Sequence, residues 1–363
     1  MKKPSLKDIE NNSLLIGGAI RDNLLGREIT DRDFLVIGYD ERDLIDLGFL
    51  RTGTAVSTYL HPETKEEYNL PRGSDPNSIF EDLKARDFTI NSMAQDQKGE
   101  IIDPFGGQDD IEESCLRHTS EHFSDDPLRV YRAARFIATL PSFKIHQTTK
   151  KLIQDIAKSP EFDHIPGERI YTEMVKVIKN GSLKTFFNTL KELDILQYTF
   201  PHFEEQEREG SLTPTLNTIH ALQQENCSHD ILFSAMICFP ESHHGKKDIV
   251  LNFIKNKRLP KRVNKLSMLF FNHHKELKQL SKTSPEEIYY FLKEADFKRN
   301  PDLLEAFTIL HKRRYPSYIS DDLLKYAQHL RMINFKEYNP KGLTKRKVDD
   351  IYLKALSNFL SYV

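Results

Sequence analysis

Two aspartates separated by a single residue, Asp31 and Asp33, are the first candidates for chemistry in this sequence. We predict that both lie on a strand that continues through the apolar residues 34–37, and alternate residues of a strand project from one face. Two carboxylates on one face suit magnesium (Mg²⁺), which keeps further coordination positions for water and substrate phosphates. An ordinary pair of charges at a strand end would look the same, so the surrounding residues decide between the two interpretations.

A Gly-Gly turn and an arginine precede this pair. Gly17 and Gly18 separate a predicted strand, residues 14–16, from a predicted helix, residues 19–25, and Arg21 lies one helical turn in. Backbone N–H groups at such a turn can approach a phosphate closely, and a guanidinium pairs well with a triphosphate. Taken alone, the turn is also compatible with ordinary packing of a strand against a helix.

The segments that must position these residues change character along the chain. Residues 1–140 mix short apolar strands with helices, including helices predicted at residues 79–86 and from residue 91 to residue 95. The pair Asp126-Pro127 is typical of a helix start. Beyond it, apolar residues recur at helical spacing and strand signals nearly vanish. The sequence therefore predicts an α+β head followed by a long all-helical remainder.

The composition describes a globular protein rather than a disordered one. The 363 residues carry a net charge of −2 and include 29% charged residues, which suits two or three domains with a sizeable core. Three well-separated cysteines favour reduced thiols, and no apolar run reaches transmembrane length. We therefore expect a cytoplasmic protein without a membrane partner, and the sequence carries no signal for an oligomeric state. Basic patches late in the chain leave a nucleic-acid partner open despite the balanced charge.

Further segments connect the first motif to a family. In chain order they read GGAIRD with its Asp-x-Asp, HPETKEEYNL, RDFTINSMA, IIDPFGGQDDI, DDPLRVYRAARF and GERIYTEM. Their order and spacing resemble the class II tRNA nucleotidyltransferase and poly(A) polymerase family, and within it the bacterial CCA-adding enzymes. The resemblance implies a polymerase-β-like nucleotidyltransferase head with a mixed sheet, followed by an elongated all-α neck, body and tail. We place the head at residues 1–140, the neck with the template and RNA-binding helices at 141–205, and the body and tail at 206–363.

The resemblance also implies a role for each matching residue. Asp31 and Asp33 would bind Mg²⁺ between the incoming triphosphate and the RNA 3′-hydroxyl, lowering the pKa of that hydroxyl and neutralising the leaving pyrophosphate. The remaining nucleotide-binding residues would be Gly18 and Arg21 at the triphosphate, Arg86, Asp87 and Asn91 at the ribose, Asp126 and Arg129 at the base, and Arg132 and Arg135 at phosphates.

The proposed base-reading pair, Asp126 and Arg129, suits two bases. Cytosine and adenine both offer an amino donor beside a ring-nitrogen acceptor, which a carboxylate beside a guanidinium complements. Guanine and uracil present the reverse pattern and would leave buried charges unpaired. Without the family resemblance these residues would be a charged helix face with Asp126 as its cap. One departure is Asp125, where the family usually has glutamate.

The length of one connector sets the expected subtype. Residues 71–80 join the HPETKEEYNL and RDFTINSMA segments and are much shorter than the flexible loop of close CCA-adding relatives. That shortening resembles CC-adding enzymes, so we expect addition of CMP from CTP to the tRNA 3′ end. The alternatives are full CCA addition, with CTP and ATP as substrates, poly(A) synthesis, and a catalytically dead RNA-binding protein. A loop trim without consequence would also explain the connector.

The helical body is expected to bind the tRNA acceptor arm. Close bacterial relatives carry a His-Asp phosphohydrolase pair on a helix, and Cys238 and Phe239 occupy that place here. We therefore expect a binding scaffold without hydrolase chemistry. Because the acceptor arm is a rod of phosphates, spread cations should hold it. The candidates for RNA contact are Lys255, Lys257, Arg258, Lys261, Arg262, Lys345 and Arg346.

Overall fold

A computed structural model describes residues 4–52, 58–72, 78–239, 259–316, 321–338 and 343–361 of the chain. The chain divides into two compact units. The first contains Met1–Ile165 and Thr185–Tyr198, and the second contains Pro166–Lys184 and Thr199–Val363. No helix in the described ranges is both long enough and apolar enough to cross a membrane.

The first unit is built on a mixed sheet, with seven strands in the part of the chain that the structure describes. The strands are β1 (Ser13–Ile16), β2 (Asp33–Val36), β3 (Leu50–Arg51), β4 (Thr58–Leu60), β5 (Glu67–Asn69), β6 (Ala94–Gln95) and β7 (Ile101–Ile102). They lie in the order β3-β4-β5-β2-β1-β6-β7. Neighbouring strands are antiparallel except β2 and β5, which are parallel with Asp33 opposite Glu67. The expected mixed sheet of the head is thus confirmed.

Both faces of this sheet are covered. Adjacent strand residues face opposite sides, and Leu35 and Val36 of β2 are both fully buried. Leu35 belongs to one apolar cluster, with Ile16, Leu83 and Ala94, and Val36 to another that includes Tyr59 and Tyr68. Because side chains two apart share a face, Asp33 lies on the same side of the sheet as Leu35.

Helices and two 3₁₀ turns cover the sheet and extend the first unit. The helices are α1 (Leu6–Asn11), α2 (Gly18–Leu24), α3 (Glu41–Asp46), α4 (Ile79–Lys84), α5 (Gly107–Glu112), α6 (Arg129–Thr139), α7 (Gln147–Ala157) and α8 (Pro160–Asp163). The 3₁₀ turns are Thr89–Asn91 and Glu121–Asp125, and a separate parallel pair consists of β8 (Cys115–Leu116) and β9 (Lys144–Ile145). The helix predicted from residue 91 to 95 was wrong, because a 3₁₀ turn ends there and Ala94 pairs with Ile16 of β1.

The rest of the described chain is helical, as predicted. Its helices are α9 (Gly167–Asn180), α10 (Leu183–Glu192), α11 (Leu196–Thr199), α12 (Pro201–Arg208), α13 (Leu212–Gln224), α14 (His229–Cys238), α15 (Lys261–His273), α16 (Pro285–Glu294), α17 (Pro301–Arg314), α18 (Asp322–Arg331) and α19 (Lys345–Leu360). Helix α14 is buried along Ile231–Ile237, and a helix that is apolar all round is typical of a core position. The α+β class and the helical remainder are therefore confirmed.

A buried glutamine joins two of the helices of the second unit. The side-chain amide of Gln223 on α13 donates to the carbonyls of Ile178 and Gly181, at 3.1 and 2.9 Å. Its carbonyl oxygen accepts from the backbone N–H of Leu183 at 3.1 Å. Because these backbone groups belong to the end of α9, the turn after it and the start of α10, Gln223 replaces hydrogen bonds that helix ends leave unmade.

Candidate active site

The two predicted metal ligands lie at the beginning of β2. Asp33 is its first residue and is half-buried, whereas Asp31 is exposed and precedes the strand. The prediction that both lie on the strand is therefore confirmed for Asp33 and wrong for Asp31. Burial raises the pKa of Asp33, the carboxylates of Glu67 and Asp31 raise it further, and the Arg86 guanidinium lowers it.

This concentration of negative charge is the feature that fits a divalent cation. A cation bound by Asp31 and Asp33 would relieve the repulsion that raises the pKa of Asp33. In the described ranges no group of three or more His, Cys, Asp or Glu side chains is arranged to hold a metal. Glu67, which the sequence analysis missed, contributes charge beside the pair from the neighbouring strand.

The glycine turn before α2 lets two guanidinium groups lie against the backbone. Gly17 has a φ of +74°, and a Cβ there would stand 2.9 Å from Nη1 of Arg86. A Cβ on Gly18 would stand 3.4 Å from Nη2 of Arg21. The N–H of Gly17 donates to the carbonyl of Met93 at 3.1 Å, so this amide is committed to the fold rather than to a ligand.

Three neighbours fix the Arg21 side chain. Its Nε and Nη2 atoms donate to the Asp22 carboxylate at 2.8 to 3.0 Å, and its Nη1 donates to Oδ1 of Asn91 at 2.6 Å. Its guanidinium carbon lies 5.1 Å from the centre of the Phe136 ring on α6. Arg21 is thus held by its own helix, by the 3₁₀ turn and by α6, and its Nε and Nη2 donors are occupied by Asp22.

A buried polar chain continues from Arg21 to α6. Nδ2 of Asn91 donates to Oδ1 of Asp87 at 3.0 Å, and Nε of Arg132 donates to Oδ2 of Asp87 at 2.7 Å. Asp87 and Asn91 are only 5% and 6% exposed. Burial by itself would raise the pKa of Asp87, but Arg132, the Asn91 hydrogen bond and Arg129 together hold it well below the usual range. The structure therefore joins four predicted site residues in one network.

Arg86 is fixed separately. Its Nε and Nη2 atoms donate to Oδ2 of Asp82 at 3.1 and 3.0 Å, and this aspartate is buried. Nε of Arg72 lies 3.6 Å from the other Asp82 oxygen. Asp82 is a supporting residue that the sequence analysis missed, and its position four residues before Arg86 on α4 was the signal for it.

The predicted base-reading pair lies at the start of α6. The carboxylate of Asp126 accepts from the N–H of Leu128 at 3.1 Å, and the helix begins at Arg129 rather than at residue 127. Arg129 donates to the carbonyl oxygens of His122 and Ala85 at 2.5 and 2.6 Å. Burial lowers the pKa of Arg129, whereas the carboxylates of Asp87 and Asp126 raise it.

The charged residues around the predicted base-reading pair also have defined partners. The Asp125 carboxylate accepts from or pairs with Nδ1 of His122 at 2.8 Å, in an exposed position. The Arg135 guanidinium lies 4.0 Å from the centre of the Phe136 ring. Two guanidinium groups, Arg129 and Arg72, share the Ala85 carbonyl, at 2.6 and 3.0 Å.

The predicted RNA contacts of the second unit are only partly described. Lys255, Lys257 and Arg258 lie outside the described residues, as do residues 73–77 of the short connector. Lys261 and Arg262 form the first turn of α15, where Arg262 pairs with Asp230. Lys345 and Arg346 form the exposed first turn of α19.

The place expected for a hydrolase pair is part of the core. Cys238 ends α14, its thiol donates to the carbonyl of Ser267 at 3.5 Å, and burial raises its pKa to about 12. Phe239 is 3% exposed and faces the ring of Phe270 at 6.0 Å. Both residues therefore act as packing groups.

Two sequence families match this chain. The one described as "Poly A polymerase head domain" matches residues 35–117, and the one described as "Probable RNA and SrmB- binding site of polymerase A" matches residues 142–207. The "Multifunctional CCA protein" of Acinetobacter baylyi is 31% identical over 334 residues, which cover 81% of each chain. The "CCA-adding enzyme" of Marinobacter nauticus is 33% identical over 305 residues, covering 79% of this chain and 80% of that protein.

Solved structures agree with the fold. A CCA-adding enzyme in complex with ATP gives a TM-score of 0.68 at 20% identity, over 96% of this chain and 85% of that one. The Thermotoga maritima CCA-adding enzyme complexed with tRNA gives a TM-score of 0.63 at 21% identity, over 95% and 87% of the two chains. At these identities the likeness concerns the fold.

Proposed function

The chain belongs to the class II tRNA nucleotidyltransferase family and is a nucleotidyltransferase, and from this premise we propose that it adds two CMP residues from CTP to the 3′ end of tRNA. The observation that carries the proposal is the buried network from Arg21 through Asn91 and Asp87 to Arg132. This network supports the proposal, because its hydrogen bonds connect the arginine that we propose binds phosphate to the helix that we propose reads the base.

We propose that the metal at Asp31 and Asp33 is Mg²⁺. Both are carboxylates, the hard oxygen ligands that this ion prefers, and two protein ligands leave room for substrate phosphates. When bound, the ion supplies charge neutralisation at the reacting phosphate and lowers the pKa of a bound hydroxyl. Asp33 belongs to β2 and is half-buried, whereas Asp31 precedes the strand and is exposed.

The protein's own groups bind and orient the nucleotide. Arg21 holds the triphosphate, with Gly18 offering a surface without a side chain beside it. Arg86, Asp87 and Asn91 form the ribose side of the site, and Arg132 and Arg135 add positive charge along α6. Fixed charges of this kind accelerate phosphoryl transfer by positioning the groups and stabilising the developing charge.

Base selection depends on Asp126 and Arg129. A guanidinium has five N–H donors, so the bonds from Arg129 to two backbone carbonyls fix its plane without exhausting it. A base with a ring-nitrogen acceptor can accept from this group while its amino group donates to Asp126. Uracil and guanine place a donor against the guanidinium and an acceptor against the carboxylate, which leaves buried groups unpaired.

The limit to cytidine rests on the Ala85 carbonyl. Arg72, the last described residue before residues 73–77, donates to the same oxygen as Arg129. We propose that the short connector, which includes Arg72, limits reorientation of Arg129, and a pair with one fixed orientation serves one base geometry. The second candidate is full CCA addition, and the relatives named for CCA addition favour it.

We propose that the cations at the starts of α15 and α19 contact tRNA. Positive charge in the first turn of a helix opposes the helix dipole, so Lys261, Lys345 and Arg346 weaken their own helices slightly. Binding of these charges to tRNA phosphates would offset that loss of helix stability. Binding should then weaken steeply with salt, because each neutralised phosphate releases counterions.

The test is an addition assay with tRNA that lacks its 3′ CCA, Mg²⁺ and single labelled nucleotides. Two additions of C and none of A support CC addition, and addition of A afterwards would establish the full CCA activity instead. Asp31→Asn with Asp33→Asn should abolish addition while tRNA binding by filter retention persists. Asp46→Asn, on α3 outside the site, is the control and should remain active. Activity retained in the double variant would remove the metal assignment.

A further inference from the structure

Asn91 has an arrangement that its predicted role at the ribose does not explain. Both ends of its side-chain amide are bound within the protein, the oxygen to Arg21 at 2.6 Å and the nitrogen to Asp87 at 3.0 Å. The orientation of the amide is forced, because a guanidinium only donates and an ionised carboxylate only accepts. With 6% of its surface exposed, the side chain has little opportunity to exchange these partners for water.

We propose that Asn91 is a positioning residue that couples the phosphate-binding Arg21 to the base-reading helix α6. The inference rests on the proposed function and deepens it, since it assigns a role in specificity at the same site. The coupling runs through named atoms. Arg21 fixes the orientation of the Asn91 amide, and the amide fixes the position of Oδ1 of Asp87. The other oxygen of Asp87, Oδ2, fixes the side chain of Arg132, one turn after Arg129 on α6.

The direction of the coupling follows from the competition at Arg21. In the structure Asp22 occupies the Nε and Nη2 donors of Arg21, and a triphosphate has to displace it. The bond from Nη1 to Asn91 uses a different edge of the guanidinium and is kept. Movement of Arg21 toward the phosphates is therefore transmitted to Asp87 and α6. A nucleotide with a complete triphosphate tightens the base-reading pair more than one without it.

Only a side chain with an acceptor and a donor at this spacing can make both bonds. Leucine of similar size offers neither, and aspartate offers acceptors alone while it is ionised. The ionised carboxylate would face Asp87 at hydrogen-bond distance, which is repulsive in a buried site. A protonated carboxyl group restores the original pattern, because its C=O accepts from Arg21 and its O–H donates to Asp87. The variant Asn91→Asp should therefore be repaired by acid.

The charged groups around the introduced carboxyl shift its pKa in opposite directions. Arg21 on α2, Arg132 and Arg129 on α6 and Arg86 beside Gly17 favour its ionised form. Asp87 and Asp22 favour its protonated form. The introduced carboxyl would lie between Arg21, at 2.6 Å in the wild type, which lowers its pKa, and the ionised Asp87, at 3.0 Å, which raises its pKa together with burial of the site.

The experiment compares kcat/KM for CTP between Asn91→Asp and the wild type at pH 8 and pH 5.5, with tRNA lacking CCA. At pH 8 the variant should be about 10- to 100-fold weaker, the cost of a broken buried hydrogen bond to charged groups. At pH 5.5 the ratio should recover at least about fivefold, since protonation of the introduced carboxyl restores the donor from which Asp87 accepts. Asn91→Leu should be weak at both pH values, and Asn188→Asp, exposed on α10, should match the wild type at both.

The outcomes separate the inference from the function on which it rests. A wild type that adds no nucleotide overturns the proposed function. A wild type that is active, with Asn91→Asp equally active or equally impaired at both pH values, overturns the role of Asn91. If that variant does not fold, a double-mutant cycle with Arg21→Lys and Arg132→Lys replaces it. A departure of at least about threefold from additivity supports the coupling, and additive effects on kcat/KM contradict it.

Discussion

Gly107→Ala should damage the site from a distance. A Cβ at Gly107 would stand 2.4 Å from the carbonyl oxygen of Thr89, 3.0 Å from its carbon and 3.1 Å from Cγ of Met93. The first of these distances is about 1 Å short of ordinary contact. Neither side yields easily, because Asp103 holds the N–H of Gly107 at 2.8 Å and the N–H of Thr89 is bound to the Arg117 carbonyl at 3.0 Å.

The cost can be worked out from these contacts. Overpacking of a buried site costs about 1–3 kcal/mol. Separating α5 from the 3₁₀ turn also strains the buried hydrogen bond from Thr89 to Asp110, 2.6 Å long, at a further cost of about 1–3 kcal/mol. The free energy of unfolding of the first unit should therefore fall by about 2–6 kcal/mol. For a unit of roughly 180 residues this lowers Tm by about 4–24 °C.

The assay pairs calorimetry with CTP kinetics. Because the displaced 3₁₀ turn carries Asn91, the partner of Arg21, KM for CTP should rise about tenfold, as expected for a weakened charged hydrogen bond. Gly106→Ala is the matched control, since that glycine has a φ of +74° and open space around it. It should cost only about 1–2 kcal/mol of backbone strain and leave KM unchanged. Equal Tm and KM values for the two variants would refute the packing argument.

Three further predictions concern other parts of the chain. Gln223→Leu should lower the free energy of unfolding by about 3 kcal/mol, because it leaves backbone groups of Ile178, Gly181 and Leu183 without hydrogen-bond partners. The control Gln224→Leu, at the exposed neighbouring position, should leave the free energy of unfolding unchanged when both variants are compared by urea titration. Iodoacetamide at pH 8 should leave Cys238 unmodified in the folded protein, since burial raises the pKa of the thiol to about 12 and keeps it protonated. The same reagent should label Cys238 in urea, and rapid labelling of the folded protein, measured by mass spectrometry, would contradict this prediction. Asp126→Ala should allow UMP incorporation, and unchanged discrimination between CTP and UTP would rule out its base-reading role.

Local signals were sufficient for the elements around the first motif. Neighbouring residues alone determine the strand before Gly17 and the helix after it. They also determine the end of that helix at Gly26, which has a left-handed φ of +64°. The position of Glu67 beside Asp33 depends instead on the parallel pairing of β2 and β5. No alternation of apolar residues specifies which strand becomes the neighbour of another, so this charge could not be predicted.

The same limit applies to the residues of the network. Regular spacing placed Arg129, Arg132 and Arg135 along one helix, as observed. It could not indicate that Arg132 would bind Asp87, 45 positions earlier, or that Arg129 would bind the Ala85 carbonyl. The helix predicted from residue 91 failed for this reason, because the partners of Asn91 and the pairing of Ala94 with β1 lie far away in the sequence.

The discontinuous path of the chain has a consequence for synthesis. The first unit needs Thr185–Tyr198, yet Pro166–Lys184, which belong to the second unit, are translated before it. At about 5–20 residues per second, roughly two to seven seconds separate the translation of Ile165 from that of Tyr198. During this interval the sheet and its carboxylates are made but the unit is incomplete, because the buried side chains of Phe186, Phe187 and Leu190 are not yet in place. For the same reason, no fragment ending near residue 165 should fold as well as one ending after residue 198.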